Sequence, residues 1–212
     1  MKQIYENLYQ FSIYIPPMNF TIHQYLLASD PAILFAAGTA RQAKEILPQI
    51  QNILGGRELK YIVISHMESD EAGGIFVFRK AYPNVIVICG SLAARELPGW
   101  GYEGTIEIKS GKDELDDGEL SLSFADYPSE VHDQDGIVCF EKKSGIVYSA
   151  DLFLRYGDGV GKTRKTAWKD EVNAISADRI VNNEKREMLK DALMAWKPSF
   201  VAVGHGFCLE CE

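Results

Sequence analysis

The sequence is poor in several features that would each have narrowed its chemistry. It has four cysteines in 212 residues, too few and too scattered for a disulfide framework. One Cys-x-x-Cys pair, Cys208 and Cys211, stands where a four-cysteine metal site needs two such pairs. That leaves a frayed tail with two thiols or a redox dithiol near His205, while Cys89 and Cys139 read as small buried hydrophobes in strands. Positive charge is not in excess: 22 Lys and Arg against 30 Asp and Glu give a net charge of −8. A nucleic-acid partner calls for a basic face, so none is expected. No apolar run approaches the roughly 20 residues of a membrane span, and the opening Met1-Lys2-Gln3-Ile4-Tyr5-Glu6-Asn7 lacks the apolar core of a signal peptide. The expectation is a cytoplasmic protein with no membrane partner, forming one domain over residues 1–212.

Histidine is equally scarce, with four in the chain, but its placement is informative. Tyr61-Ile62-Val63-Ile64 is a β-branched apolar run that stops at Ser65-His66-Met67-Glu68-Ser69-Asp70-Glu71, followed by Gly73-Gly74 and Ile75-Phe76-Val77-Phe78. This reads as a buried strand, a polar turn and the start of a helix. Imidazole and carboxylates at alternate positions of one turn form a dense ligand set, and a metal would compensate their burial. His132 sits among turn formers between apolar stretches, Asp151 ends Ile146-Val147-Tyr148-Ser149-Ala150, and His205 follows Phe200-Val201-Ala202-Val203-Gly204. Strand ends of this kind are where rigid scaffolds present chemistry. His23, on an early strand, reads as structural or as a support to a ligand. Gly157-Asp158-Gly159-Val160-Gly161-Lys162-Thr163 fails the phosphate-loop pattern because Tyr156 occupies the first glycine position. A flexible basic loop near the metals is the expectation there.

The apolar share of 46% with 25% charged residues is ordinary for a globular chain. Strands are expected near Asn7–Ile13, Gln24–Ala28, Ile33–Ala36, Tyr61–Ile64, Val85–Ile88, Thr105–Lys109, Glu119–Phe124, Ile137–Glu141, Ile146–Ser149 and Phe200–Val203. Helices are expected over Ala40–Ile53, kinked or divided at Pro48, over Glu71–Ala81, over Ser91–Leu97 and within Ala177–Trp196. Two groups of strands interleaved with helices predict an α+β fold, two sheets face to face with helices outside.

The order His66-x-Glu68-x-Asp70, His132, Ser149-Ala150-Asp151 and Gly204-His205-Gly206 resembles the metallo-β-lactamase fold over nearly the whole chain. Glu68 stands where hydrolases of that superfamily usually carry histidine. This and the Ser-Ala-Asp-Leu-Phe run at 149–153 are similar to the flavodiiron and oxygen-binding di-iron branch. The resemblance implies a four-layer αββα sandwich and two metals: His66, Glu68 and His132 on the first, Asp70 and His205 on the second, and Asp151 bridging. The family usually reads Asp-His where this chain has Asp70-Glu71. Glu71 is therefore open between a substitute ligand and an acidic residue favoured by the helix dipole.

Carboxylates shift metal preference from zinc toward iron or manganese. Two divalent cations would balance Glu68, Asp70, Glu71 and Asp151. The expected cofactor is two iron ions, zinc and manganese being the alternatives, with O2 or NO as ligand. Flavodiiron enzymes carry a flavodoxin-like domain after the metal domain, and this sequence runs seven residues past His205. A chain without flavin, fed by a separate redox protein, is expected. The resemblance also implies a homodimer. The competing functions are an O2 or NO sensor or reductase, a metal-dependent hydrolase of a thioester, lactone or phosphoester, and a non-catalytic binding module.

Overall fold

A computed structural model describes residues 1–128 and 136–212. The first half of the chain builds one sheet. Strands β1 (Lys2–Tyr5), β2 (Leu8–Ile15) and β3 (Phe20–Leu27) form an antiparallel meander with a 3-10 turn at Pro16–Met18, and β4 (Ala32–Phe35) joins β3 antiparallel. Strands β5 (Leu59–Val63), β6 (Ile86–Cys89) and β7 (Thr105–Ile108) then add in parallel, so the sheet order follows the chain order. Parallel neighbours require crossovers. Helix α1 (Ala40–Leu54), the short α2 (Ser69–Ala72) with α3 (Ile75–Ala81), and α4 (Ser91–Gly99) supply them.

The second half supplies β8 (Glu114–Asp117), β9 (Leu120–Asp126), β10 (Ile137–Glu141), β11 (Ile146–Ala150), β12 (Thr163–Thr166), helices α5 (Trp168–Asn173) and α6 (Asn183–Met194), and strands β13 (Phe200–Val203) and β14 (Cys208–Cys211). Among the described residues this sheet also has seven strands, in the order β12-β14-β13-β11-β10-β9-β8. Tyr25, Phe35 and Val63 from the first sheet pack with Phe124, Val138 and Tyr148 from the second in one core, which extends to Trp168, Val172, Leu189 and Leu193 of α5 and α6. A second core joins Leu26, Leu34, Ile62 and Val87 to Ala43, Ile46 and Ile50 of α1, to Phe78 of α3 and to Leu97 of α4. The layers are therefore αββα, as the strand grouping predicted. β4, β10, β11 and β13 are buried along their whole length, which explains their unbroken apolar runs.

Several elements depart from the sequence expectation. α1 is a single helix across Pro48. Pro48 and Lys44 are both exposed, so the carbonyl left without an amide partner faces water. Its start is secured by a reciprocal capping box between Thr39 and Gln42, typically worth ~1 kcal/mol at the cap. The helix expected over Glu71–Ala81 is split into α2 and α3 at Gly73-Gly74. A methyl group on Gly74 would overlap the Ala37 carbonyl oxygen and crowd the Ala43 side chain, so the split lets α3 approach the β4–α1 connection. β1, β8, β12, β14 and α5 were not anticipated. β1, β8 and β12 are short, polar strands, and β1, β8 and β12 lie at sheet edges. The expected frayed tail is instead β14, paired with both β12 and β13. The expected flexible loop is pinned to β3: Thr21 Oγ1 donates to Gly157 O at 2.6 Å and accepts from Gly159 N at 2.9 Å.

Candidate metal centre

At one end of the sandwich the two sheets approach closely enough for direct backbone bonds between them. His23 N donates to Gly204 O at 3.0 Å, and Ile137 N donates to Ser65 O at 3.2 Å. The segments that follow β5, β11 and β13 turn toward each other there. At the end of β11, Ala150 adopts a positive φ of 43°, a conformation that costs an L-residue about 1–2 kcal/mol. Its carbonyl accepts from Gly204 N at 2.8 Å. This sharp turn sets Asp151 beside the His205 loop.

The result is two triads that share one carboxylate. His66 Nε2 lies 3.8 Å from Glu68 Oε2 and 3.8 Å from Asp151 Oδ2. Donor atoms of His66, Glu68 and Asp151 all fall within 4.8 Å of one another. On the other side, His205 Nε2 lies 3.0 Å from Asp151 Oδ1 and 3.5 Å from Asp70 Oδ2. His66, Asp151 and His205 are buried, and Glu68 is the most open of the set, its side chain 38% exposed. Five of the seven expected ligands thus converge: His66, Glu68, Asp70, Asp151 and His205. His132 lies outside the described residues.

Glu71 is placed differently. Its carboxylate is fully enclosed, one oxygen accepting the Tyr148 hydroxyl and the other accepting Ser65 N at 3.1 Å. Both oxygens are thus engaged by protein donors, tying the loop after β5 to strand β11.

The charge balance of the cluster is strained in the way a cation would relieve. Burial lowers the pKa of His66, but Glu68, Glu71 and Asp151 outweigh it and hold the imidazole at about 9. Burial likewise opposes protonation of His205, and Asp151 more than offsets it. Burial, with Asp151 and Glu68 adding repulsion, raises Asp70. Burial pushes Glu71 up to about 7. These are the directions expected of closely packed carboxylates and imidazoles, and a divalent cation would replace the shared protons. The donor set of imidazole nitrogens and carboxylate oxygens fits iron, manganese or zinc.

The surrounding residues fix the donors. His205 Nδ1 bonds to the Thr21 carbonyl at 2.9 Å, which assigns the proton to Nδ1 and leaves Nε2 for the cluster. Phe20 stacks on the His205 ring at 4.3 Å. His23 donates from Nε2 to Gly206 O at 2.6 Å and accepts from Ser12 Oγ at Nδ1, 2.7 Å. Burial depresses it to about 4, so it is a neutral brace for the His205 loop. Gly206 itself has φ 87°, a conformation glycine adopts without penalty. Thr21, Phe20 and Tyr148 were not singled out from the sequence. Their role rests on contacts across the two sheets, and no local pattern announces it. The dithiol reading for Cys208 and Cys211 does not survive: three apart on one strand, they face opposite sides of the sheet. Cys208 Sγ meets Tyr25 and Gln10 between the sheets, whereas Cys211 lies toward Glu171 of α5.

Two facing mixed sheets with helices outside, and histidines and carboxylates gathered where their strands end, define a metallo-β-lactamase-fold protein. The family model described as "ODP family beta lactamase" matches residues 20–205, and the chain belongs to that family. Among curated proteins it is similar to the rubredoxin-oxygen oxidoreductase of Megalodesulfovibrio gigas, 22% identical over 206 residues, covering 91% of this chain and 50% of that protein. It is also similar to the anaerobic nitric oxide reductase flavorubredoxin of Vibrio vulnificus, 22% identical over 138 residues, covering 62% of this chain and 27% of that protein. The solved rubredoxin oxygen:oxidoreductase of Desulfovibrio gigas superposes with a TM-score of 0.79 at 18% identity, covering 99% of this chain and 57% of that one. The chain spans about half, or less, of the length of the curated relatives it matches.

Proposed function

We propose that the cluster holds two iron ions and binds O2 or NO, as a sensor or as a reductase supplied with electrons by a separate redox protein. One observation carries the reading: the two oxygens of Asp151 face two different imidazoles, Oδ2 toward His66 at 3.8 Å and Oδ1 toward His205 at 3.0 Å. That is the disposition of a carboxylate that bridges two cations. On this reading His66, Glu68 and His132 hold the first metal, Asp70 and His205 hold the second, and Asp151 joins them. Glu71 stays outside the set, occupied by Tyr148 and Ser65. The names of these relatives, an oxygen oxidoreductase and a nitric oxide reductase, support O2 and NO as the ligands.

When bound, ferrous iron supplies the electrons and the open coordination position that a diatomic ligand needs. The chain's own residues do the rest. Thr21 holds His205 by Nδ1, His23 grips the following carbonyl, and Glu68, Asp70 and Asp151 supply anionic oxygens that favour the ferric state. Phe20 stacks on the His205 ring and helps hold its orientation. Adding NO to the anaerobic ferrous protein tests the reading: uptake of NO with a new visible absorption is expected. No uptake by a fully iron-loaded protein would contradict it. Repeated O2 consumption with an added electron donor would mark a reductase, and a stable O2 adduct a sensor.

A further inference from the structure

We propose that the face around Tyr156 is the docking surface for an acidic one-electron carrier protein. The inference rests on the di-iron reading and says where its separate redox protein sits. Tyr156 is 70% exposed, more than any other large apolar side chain among the described residues. Such exposure is ordinary at a loose loop end, but this loop is tied down along its length. Gly157 N donates to Asn19 O at 2.6 Å, Thr21 Oγ1 holds Gly157 O and Gly159 N, and Gly161 N donates to Gln10 Oε1 at 2.8 Å. An aromatic ring presented to water on a fixed backbone loses little further freedom when it is covered, which is the property of an interface anchor.

The same ring is two contacts from a residue of the cluster. Tyr156 meets Phe20 with ring centroids 5.6 Å apart, and Phe20 stacks on His205 at 4.3 Å. Exposed apolar surface continues around it. Val160 is exposed on the same loop, and the exposed Met18 directly precedes Asn19, which accepts Gly157 N.

Charge selects the kind of partner. The chain carries −8 overall, yet the side chains beside Tyr156 are basic. Arg155 and Arg164 lie over the Phe207 ring at 5.2 and 4.9 Å and share one carboxylate, Glu171, whose side chain is only 6% exposed. Two guanidiniums on one buried carboxylate leave an excess of positive charge at the surface. Lys162 and Lys165 extend it; their partners Asp158 and Glu212 are exposed, and exposed pairs of this kind are weak enough to exchange. Tyr and Arg are the side chains that dominate interface energetics, and a basic rim steers an acidic partner to this face in preference to the acidic remainder of the surface.

Calorimetric titration of iron-loaded protein, already shown to bind NO, with an oxidised [2Fe–2S] ferredoxin of negative net charge tests the proposal. Saturable one-to-one binding is expected, weakening steeply as salt is added. Tyr156→Ala, and Lys162→Glu combined with Lys165→Glu, should each raise the dissociation constant by about tenfold or more. Lys143→Glu changes an exposed charge in the turn before β11, at the opposite end of that strand from Asp151, and should move it less than about twofold. Equal weakening by Lys143→Glu, or wild-type affinity in Tyr156→Ala, would overturn the proposal. So would a second copy of this chain on the face, seen as a dimer in sedimentation that Tyr156→Ala dissociates. No ferredoxin binding by wild-type protein that takes up NO would overturn the docking surface and leave the di-iron reading standing. A protein that takes up no iron would overturn both.

Discussion

Asp151 is the residue on which the two halves of the site depend. It follows a strained Ala150 and offers one oxygen to each imidazole. Replacing it with Asn removes the charge and one acceptor oxygen. The expected outcome is a fall in tightly bound metal from two ions to one or none, measured by elemental analysis on folded protein. Two ions retained at full affinity would remove Asp151 as the bridge. Glu68→Ala should lose the first metal, and unchanged stoichiometry would take Glu68 off the ligand set. Glu71 behaves differently at this scale. Glu71→Gln should leave metal stoichiometry intact, because the carboxylate is turned to Tyr148 and Ser65. Glu71→Ala should instead lower folding stability by roughly 1–3 kcal/mol, since it leaves a buried hydroxyl and a buried amide without their acceptor. Denaturant unfolding of the metal-free protein measures this.

At the scale of elements, the loop between β5 and α3 shows why some of the molecule was legible in sequence. Tyr61–Ile64 and Phe200–Val203 are apolar runs ending at polar or glycine residues, so both strands and the ligands after them could be read directly. The order of His66, Glu68, Asp70, Asp151 and His205 along the chain carried the resemblance. What could not be read was either short and polar, as with β1, β8 and β12, or dependent on distant partners. β14 exists because β12 and β13 flank it, and its four residues carry no alternation that would reveal this. Tyr148 was hidden for the opposite reason: every residue of β11 is buried, so nothing distinguishes the side that meets Glu71. Gly73-Gly74 was visible, but its purpose was not. Gly74→Ala would force a methyl group onto the Ala37 carbonyl. Destabilisation of about 2 kcal/mol or more is expected, as for overpacking a close backbone contact. A thermal midpoint equal to wild type would show that the two segments can separate without cost.

The whole molecule is two sheets joined at one end by backbone bonds and by the charged cluster itself. Without metal, that cluster makes stability depend on pH with a definite sign. His66 is held at about 9 against an ordinary value of 6.5, so the folded state binds its proton more tightly than the unfolded chain. That stabilisation is complete below pH 6.5 and is lost as pH rises through 9. Glu71, raised from 4.5 to about 7, acts in the same direction at lower pH, because ionising it in the interior is unfavourable. His23, depressed to about 4, opposes them only below 6.5. From pH 7 to 9 the metal-free protein should therefore lose stability, while metal affinity should rise as the competing proton leaves His66. Urea midpoints and metal titrations across that range test the two slopes. No helix among the described residues is long and apolar enough to cross a membrane.

The central claim is that this cluster is a two-iron centre, and metal content per chain tests it most directly. The protein would be purified anaerobically from cells given both iron and zinc, and its metals counted. About two irons per chain, falling in Asp151→Asn, is the predicted result. Zinc alone, with iron unable to replace it, would contradict the account and return the site to metal-dependent hydrolysis.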